Sequence, residues 1–173
     1  MNTSNLIKNL SLIILMLSFD LFKSQNSDAL FNFPGYDDLI GKTFSVQQFS
    51  NIKDENFSVT NLSGKPTVIN FWSTICEPCI EEMPHLNNLY QELNDSAHFI
   101  GITFSTKEKV DKFLLKHTFL FDLITDADYK LIEQNRITRF PMTILLDKDQ
   151  KITYVLGQVN AENVALIRKE LKK

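Results

Sequence analysis

The sequence has only two cysteines, Cys76 and Cys79, and only three histidines, which are scattered along the chain. A structural zinc site needs four such ligands, and no second cysteine pair is present to supply them. His85, the histidine nearest in sequence, falls on the far side of the predicted helix from Cys76. These shortages exclude a zinc centre built on the cysteines, and we expect the protein to require no metal and no organic cofactor.

The chain also lacks an excess of positive charge, internal repeats and low-complexity segments. Its 18 Lys and Arg residues against 21 Asp and Glu residues give a net charge of -3, whereas a nucleic-acid-binding domain normally carries a basic patch. A composition of 43% hydrophobic and 23% charged residues is that of a globular protein. We assign residues 26–173 to one domain, because their number suits a single hydrophobic core.

No apolar run reaches the length of about 20 residues that a transmembrane helix needs. The run Leu10–Phe19 follows Lys8 and precedes polar residues, which is the layout of a secretory signal peptide. An A-x-A cleavage pattern is missing, so an uncleaved N-terminal membrane anchor stays open, and no cysteine lies nearby to indicate a lipoprotein. We expect residues 1–25 to be a signal peptide or anchor and the domain to be periplasmic or otherwise extracytoplasmic.

The two cysteines follow an apolar run and begin a segment with helical periodicity. The run Val68–Trp72 is β-branched and aromatic, which predicts a buried strand, and the helical pattern then continues to Leu93. At the start of a helix, unpaired N–H groups and the positive end of the helix dipole both favour a thiolate. We predict that Cys76 is exposed and nucleophilic, and that Cys79, on the core-facing stripe, is buried and resolves the intermediate.

A purely structural disulfide between the two cysteines is the alternative to this redox role. Closing so short a loop would add only about 2 kcal/mol of stability in the chain-entropy model. Spacing and position at a helix start therefore favour the redox role.

Glu82 is the acidic residue closest to the predicted resolving thiol. It follows Cys79 by three residues and is nearly in phase with Leu86, so the helix should turn its carboxyl toward the edge of the core. A carboxylate partly removed from water has a raised pKa and could accept the proton of the thiol beside it. The alternative is that Glu82 reaches solvent and only complements the positive helix start.

The run NFWSTICEPCIEEMP resembles the active-site signature of the TlpA/ResA-like branch of the thioredoxin superfamily, which comprises membrane-tethered or periplasmic thiol-disulfide oxidoreductases. The resemblance extends from about Leu39 to the end of the chain. It implies that Cys76 is the nucleophile, that Cys79 resolves and that Glu82 is the active-site glutamate. It also implies that Pro141, in RFPMTILLD, is a cis-proline facing the disulfide.

Around these residues we expect a client-binding surface formed by five residues: Trp72, Glu77, Pro78, Phe140 and Pro141. Three positions depart from the pattern of the family. Asn70 stands where thioredoxin has a buried aspartate, which leaves proton transfer to Glu82. Ile75 replaces a frequent tryptophan, and Phe140 is bulkier than the threonine or valine common there, so the choice of client need not match that of the family.

The rest of the chain alternates predicted strands and helices, which favours an α/β fold with a mixed sheet flanked by helices. The resemblance implies that this fold is thioredoxin-like, with an N-terminal extension. The predicted strands are Phe57–Thr60, His98–Phe104, Met142–Leu146 and Lys151–Leu156, the last two forming a hairpin, and Phe119–Ile124 is a short apolar run. The predicted helices after the redox helix are Lys107–Lys116, Asp128–Asn135 and Ala161–Leu171.

The sequence therefore predicts thiol-disulfide exchange with disulfide-containing client proteins outside the cytoplasm. Glu77 beside the thiolate opposes a depressed pKa, which favours a reductant, for example of apocytochrome c haem-site cysteines. The resemblance implies that a membrane thiol electron donor restores the dithiol. An oxidant or isomerase with the same chemistry, a peroxiredoxin-like thiol peroxidase and a non-catalytic binding module stay open as alternatives.

Overall fold

A five-stranded mixed β-sheet organises the computed structural model, which describes residues 32–49, 62 and 64–173. The strands lie in the order β3-β2-β1-β4-β5, with β1, β2 and β3 parallel and β4 antiparallel to both of its neighbours. Their bounds are β1 Thr67–Phe71, β2 His98–Ile102, β3 Asp122–Ile124, β4 Met142–Leu146 and β5 Ile152–Leu156. The predicted mixed sheet and its closing hairpin are confirmed.

Within the described residues, four α-helices pack on this sheet, and three of them begin at a polar residue whose side chain caps the first turn. Thr106, Asp128 and Asn160 each accept a hydrogen bond from a backbone N–H two or three residues ahead, which satisfies a donor that the helix cannot pair. The helices are α1 Glu77–Leu93, α2 Lys107–Leu114, α3 Tyr129–Gln134 and α4 Ala161–Leu171.

Three predicted elements are shorter in the structure. The second strand ends at Ile102 rather than Phe104, because Ser105 turns back to contact the loop before the cysteines. The helix predicted to Lys116 ends at Leu114, and the run predicted from Phe119 forms a strand only over β3.

The two faces of the sheet bury separate apolar clusters, because alternate residues of a strand point to opposite faces. In β1, Val68 joins the cluster beneath α1, α2 and α4, whereas Ile69 and Phe71 join the cluster on the other face with α3. Asn70 shares the face of Val68 and therefore points toward α1. This alternation places one polar side chain of the central strand under the helix that carries the cysteines.

The chain before β1 covers the outer edge of β5. Backbone hydrogen bonds join Phe33 to Val155 and Gly41 to Ile152, and the Asn32 side chain accepts from the Val155 N–H. Pairing of this kind removes the exposed donors and acceptors of an edge strand. The same stretch contains two short 3-10 helices, Asp37–Leu39 and Val46–Phe49.

The predicted N-terminal targeting segment, 1–25, and the predicted strand Phe57–Thr60 lie outside the described residues. Within residues 32–49, 62 and 64–173, none of the helices has both the length and the apolar character needed to cross a bilayer.

Gly101 in β2 is expected to be intolerant of a side chain. A Cβ there would lie 2.7 Å from Leu123 Cδ2, 2.9 Å from Phe119 Cε1 and 3.1 Å from Trp72 Nε1. We expect Gly101→Ala to lower the free energy of unfolding by about 1–3 kcal/mol, the usual cost of overpacking a core. Urea titration measures the change.

Gly157→Ala is the comparison variant, since its Cβ would meet only the Phe33 ring, at 3.1 Å and 3.2 Å. It should cost less than Gly101→Ala, and equal losses would contradict the packing argument.

Candidate active site

The two cysteines lie where β1 leads through a short loop into α1. Cys76 is the N-cap residue of α1, in extended backbone conformation, and Pro78 occupies the first turn, where a missing N–H leaves no hydrogen bond unmade. The residues form a disulfide with their Cα atoms 5.3 Å apart. The sequence therefore predicted both the pairing and its position at a helix start.

The two sulfur atoms differ in their surroundings. Cys76 is partly exposed, whereas Cys79 is 1% exposed and packs in the cluster beneath α1. Cys76 Sγ accepts a hydrogen bond from the Cys79 backbone N–H at 3.3 Å. In the reduced protein the same N–H and the helix start would favour a thiolate at Cys76, because both present positive charge to the sulfur.

The loop before the disulfide is held by hydroxyl groups. The Thr74 N–H donates to Ser105 Oγ at 3.3 Å, and the Ile75 N–H donates to Ser73 Oγ at 3.3 Å. Ser105 lies beyond the end of β2, so the neighbouring parallel strand helps to fix the approach to Cys76. The roles of Ser73 and Ser105 are not predictable from the sequence, since single serines after strands give no distinct signal.

Glu82 is fully buried one helical turn after Cys79, deeper than the expected edge of the core. Its Oε1 accepts from Asn70 Nδ2 at 2.7 Å, and its Oε2 accepts from the Val159 N–H at 2.6 Å. Asn70 also donates to Thr143 Oγ1 at 3.1 Å across the β1–β4 pair. The carboxyl is thus fixed by the central strand and by the loop before α4.

Burial raises the pKa of Glu82 to about 7, and the hydrogen bonds from Val159 and Asn70 oppose that rise without cancelling it. A carboxyl with a pKa near neutrality can both accept and release a proton at physiological pH. The alternative in which Glu82 reaches solvent is wrong, because its side chain has no exposed surface.

The Phe140-Pro141 peptide bond is cis, as predicted. Pro141 is buried and precedes β4, whose first residue, Met142, pairs with Phe71 at the end of β1. This register brings Pro141 beside the start of the loop that carries the cysteines. Phe140 is partly exposed and packs against the same cluster as Cys76.

Trp72 lies beneath the loop rather than on its surface. The indole is fully buried and contacts the rings of Phe113 and Phe119, with centroids 5.4 Å and 5.3 Å away. Because no part of the side chain is exposed, it cannot touch a client in this conformation. It can only support the loop from below.

Glu77 and Pro78 are exposed at the start of α1, and a residue that the sequence did not reveal lies beside them. Gln158 Nε2 donates to the Pro78 carbonyl at 3.2 Å and to Glu81 Oε2 at 3.0 Å. Together with Val159, this residue connects the loop before α4 to the redox helix. No local motif marks the contact, because it joins residues far apart in sequence.

Comparison with known proteins gives a consistent result. A family model described as the AhpC/TSA family matches residues 40–155. The thiol-disulfide oxidoreductase ResA of a Bacillus cereus strain is 27% identical over 128 residues, covering 72% of this chain and 74% of that protein. ResA of Halalkalibacterium halodurans is 30% identical over 107 residues, which are 61% of each protein.

Solved structures support the fold. The crystal structure of the thioredoxin domain of a thiol-disulfide oxidoreductase from Bacteroides vulgatus superposes with a TM-score of 0.63. It is 20% identical and covers 76% of this chain and 95% of that one. The family model spans most of the chain, and the curated relatives share one activity that a closed C-x-x-C pair can perform. The chain therefore belongs to the AhpC/TSA family, in which it is a ResA-like thiol-disulfide oxidoreductase with a thioredoxin-like fold.

Proposed function

We propose that the protein reduces disulfide bonds of client proteins outside the cytoplasm, for example those between the haem-site cysteines of apocytochrome c. The observation that carries the proposal is the buried Glu82 carboxyl one turn after the buried Cys79, with the partly exposed Cys76 at the helix start. This arrangement provides one sulfur for attack, a second for release and an acid-base group for the second.

In the proposed reaction, the Cys76 thiolate attacks one sulfur of the client disulfide, and the other client sulfur leaves as a thiolate. The product is a mixed disulfide between Cys76 and the client. Glu82 accepts the proton of the Cys79 thiol, and the resulting thiolate attacks Cys76 Sγ. The second client sulfur then leaves, so that two electrons have passed from the cysteine pair to the client and the Cys76–Cys79 disulfide has formed.

Phe140, Pro141, Glu77 and Pro78 surround the attacking sulfur in this proposal and contact the client, whereas Trp72 supports the loop. Residues 139–141 form a bend directly before β4 and present backbone groups there. A client segment could pair with such groups in the manner of an added strand.

Export is part of the proposal and depends on the N-terminal sequence. The apolar run Leu10–Phe19 after Lys8 supports a signal peptide or membrane anchor in residues 1–25. A thiol electron donor in the membrane would restore the dithiol after each cycle. An anchor would keep the domain beside that donor.

The reduction potential of the Cys76/Cys79 couple tests the direction of the reaction. We expect a midpoint of about -250 mV or lower, in the range of thioredoxin, by equilibration with thiol-disulfide buffers. Glu77→Lys should raise it by roughly 10–20 mV, since 30 mV corresponds to 1.4 kcal/mol and the new cation stabilises the thiolate modestly.

Glu133→Lys, an equal change of charge on α3, is the matched control and should leave the midpoint unchanged. A wild-type midpoint near about -120 mV would make the protein an oxidant. A pair that never cycles, or rapid consumption of peroxide by the dithiol, would contradict the proposed exchange.

A further inference from the structure

A groove opens beside the disulfide, between the loop that precedes Cys76 and helix α2. It has a volume of about 460 Å³. Ile75, directly before Cys76, lines one end and is 86% exposed, and Phe104 and Phe113 add aromatic surface. The Phe104 ring contacts Phe140, with centroids 5.5 Å apart, so the groove is continuous with the cis-proline side of the active site.

The rim of this groove is cationic. Lys109, Lys112 and Lys116 line it, with no Asp or Glu among its lining residues. Positions 109, 112 and 116 recur at helical spacing and fall on one side of α2 and the turn that follows it. No carboxylate in the described parts of the chain forms an ion pair with any of these three lysines.

The acidic residues of α2 are Glu108 and Asp111, and neither lines the groove. Asp111 pairs with Lys107 at 2.9 Å, and Glu108 precedes Lys112 by one helical turn. The lining itself contains three lysines and no carboxylate, so the charge that it presents to a partner is of one sign. The protein as a whole carries a net charge of -3, so the charge of this local surface is opposite in sign to that of the whole protein.

Such a distribution orients a negatively charged partner. The net negative charge repels an acidic segment from most of the surface, while the lysines attract it to the groove that ends at Ile75 and Cys76. An exposed isoleucine beside the attacking sulfur also offers apolar contact that a purely ionic site would lack. The surface therefore fits an extended peptide that combines carboxylates with an apolar residue.

We propose that this groove binds an acidic segment of the client adjacent to its target disulfide, with the carboxylates against Lys109, Lys112 and Lys116 and an apolar side chain against Ile75. The proposal rests on the proposed exchange with client disulfides and names the class of client sequence that this chain selects.

The test uses the reduced full chain and three synthetic peptides that share one disulfide and lack tryptophan. The residues flanking the disulfide are glutamate, glutamine or lysine in the three peptides. Single-turnover oxidation of the protein is followed by mass spectrometry after acid quenching. We expect the glutamate peptide to react about tenfold faster than the glutamine peptide at low salt, and the lysine peptide more slowly than both. In about 1 M salt the three rates should converge, because charges are then screened within about 3 Å.

The variant Lys109→Gln/Lys112→Gln/Lys116→Gln should reduce the ratio of glutamate-peptide to glutamine-peptide rates to near one. The matched control is Lys65→Gln/Lys130→Gln/Lys169→Gln, which removes the same charge from exposed positions outside the groove and should keep the ratio. Equal wild-type rates with all three peptides would contradict the proposed role of the groove. An equal loss of the rate ratio in the control variant would contradict it as well. Failure of the dithiol to reduce any of the peptides would overturn the proposed function itself.

Discussion

Replacing Cys79 with serine is expected to convert the protein into a trap that holds its client as a mixed disulfide on Cys76. Cys76 is partly exposed and can still attack, but the buried position that supplies the second thiol would hold only a hydroxyl. Multiple turnover should fall by roughly 10³-fold or more, the scale on which the loss of a group in covalent catalysis acts. Mass spectrometry of the acid-quenched reaction should show the adduct, and dithiothreitol should release it.

Cys76→Ser is the matched control. It leaves a single thiol that is 1% exposed, so it should trap no client and support no turnover. Equal trapping by the two variants would contradict the assignment of attack to Cys76 and resolution to Cys79. Wild-type turnover by Cys79→Ser would show that an external thiol resolves the intermediate.

Those features of the site that depend on short segments were predictable from the sequence. The C-x-x-C spacing fixed both cysteines near the start of one helix, and a three-residue step placed Glu82 on the same side as Cys79. The prediction of a cis bond before Pro141 came from the resemblance, since most X-Pro bonds in folded proteins are trans. In each of these cases neighbouring residues carried enough information.

The features that the sequence did not reveal are contacts between distant segments. Gln158 and Val159 reach the redox helix only because α4 follows β5 at the end of the sheet nearest the cysteines. The full burial of Glu82 depends on the same loop closing over it, which helical phase alone cannot predict. The cationic groove likewise needs α2 to lie beside Ile75, and a lysine-rich helix viewed in isolation resembles an ordinary solvated face.

Replacing Glu82 with glutamine is expected to slow the step in which Cys79 releases the client. Loss of a positioned acid-base group typically costs 10²–10⁴-fold, so we expect the rate of release to fall by at least about 100-fold at pH 7. The wild-type rate should rise as pH increases through about 7, where the carboxyl loses its proton. The variant should lack that inflection in stopped-flow measurements of the resolution step.

The variant Asn70→Leu tests whether the pH inflection belongs to the Glu82 carboxyl. This variant keeps Glu82 but removes the amide that donates to Oε1 at 2.7 Å, so the charged form loses a stabilising hydrogen bond. The pKa of Glu82 should then rise further, and the inflection should move to higher pH without disappearing. An unshifted inflection in Asn70→Leu, or an inflection that persists in Glu82→Gln, would assign the titration to another group.

The same carboxyl also links the stability of the protein to pH. Its pKa is about 7 when folded against an ordinary value of 4.5, so between these pH values the folded state binds more protons than the unfolded state. The free energy of unfolding therefore falls as pH rises through this window, by about 3 kcal/mol at 1.36 kcal/mol per pKa unit.

Glu82→Gln cannot titrate and should lack this loss of stability, whatever its stability at pH 5. The difference in unfolding free energy, variant minus wild type, should therefore increase by about 2.5 kcal/mol between pH 5 and pH 8 in urea titrations, because part of the window lies below pH 5. A constant difference would show that Glu82 is already ionised in the folded protein at pH 5, and would remove the physical basis for its role as the acceptor of the Cys79 proton.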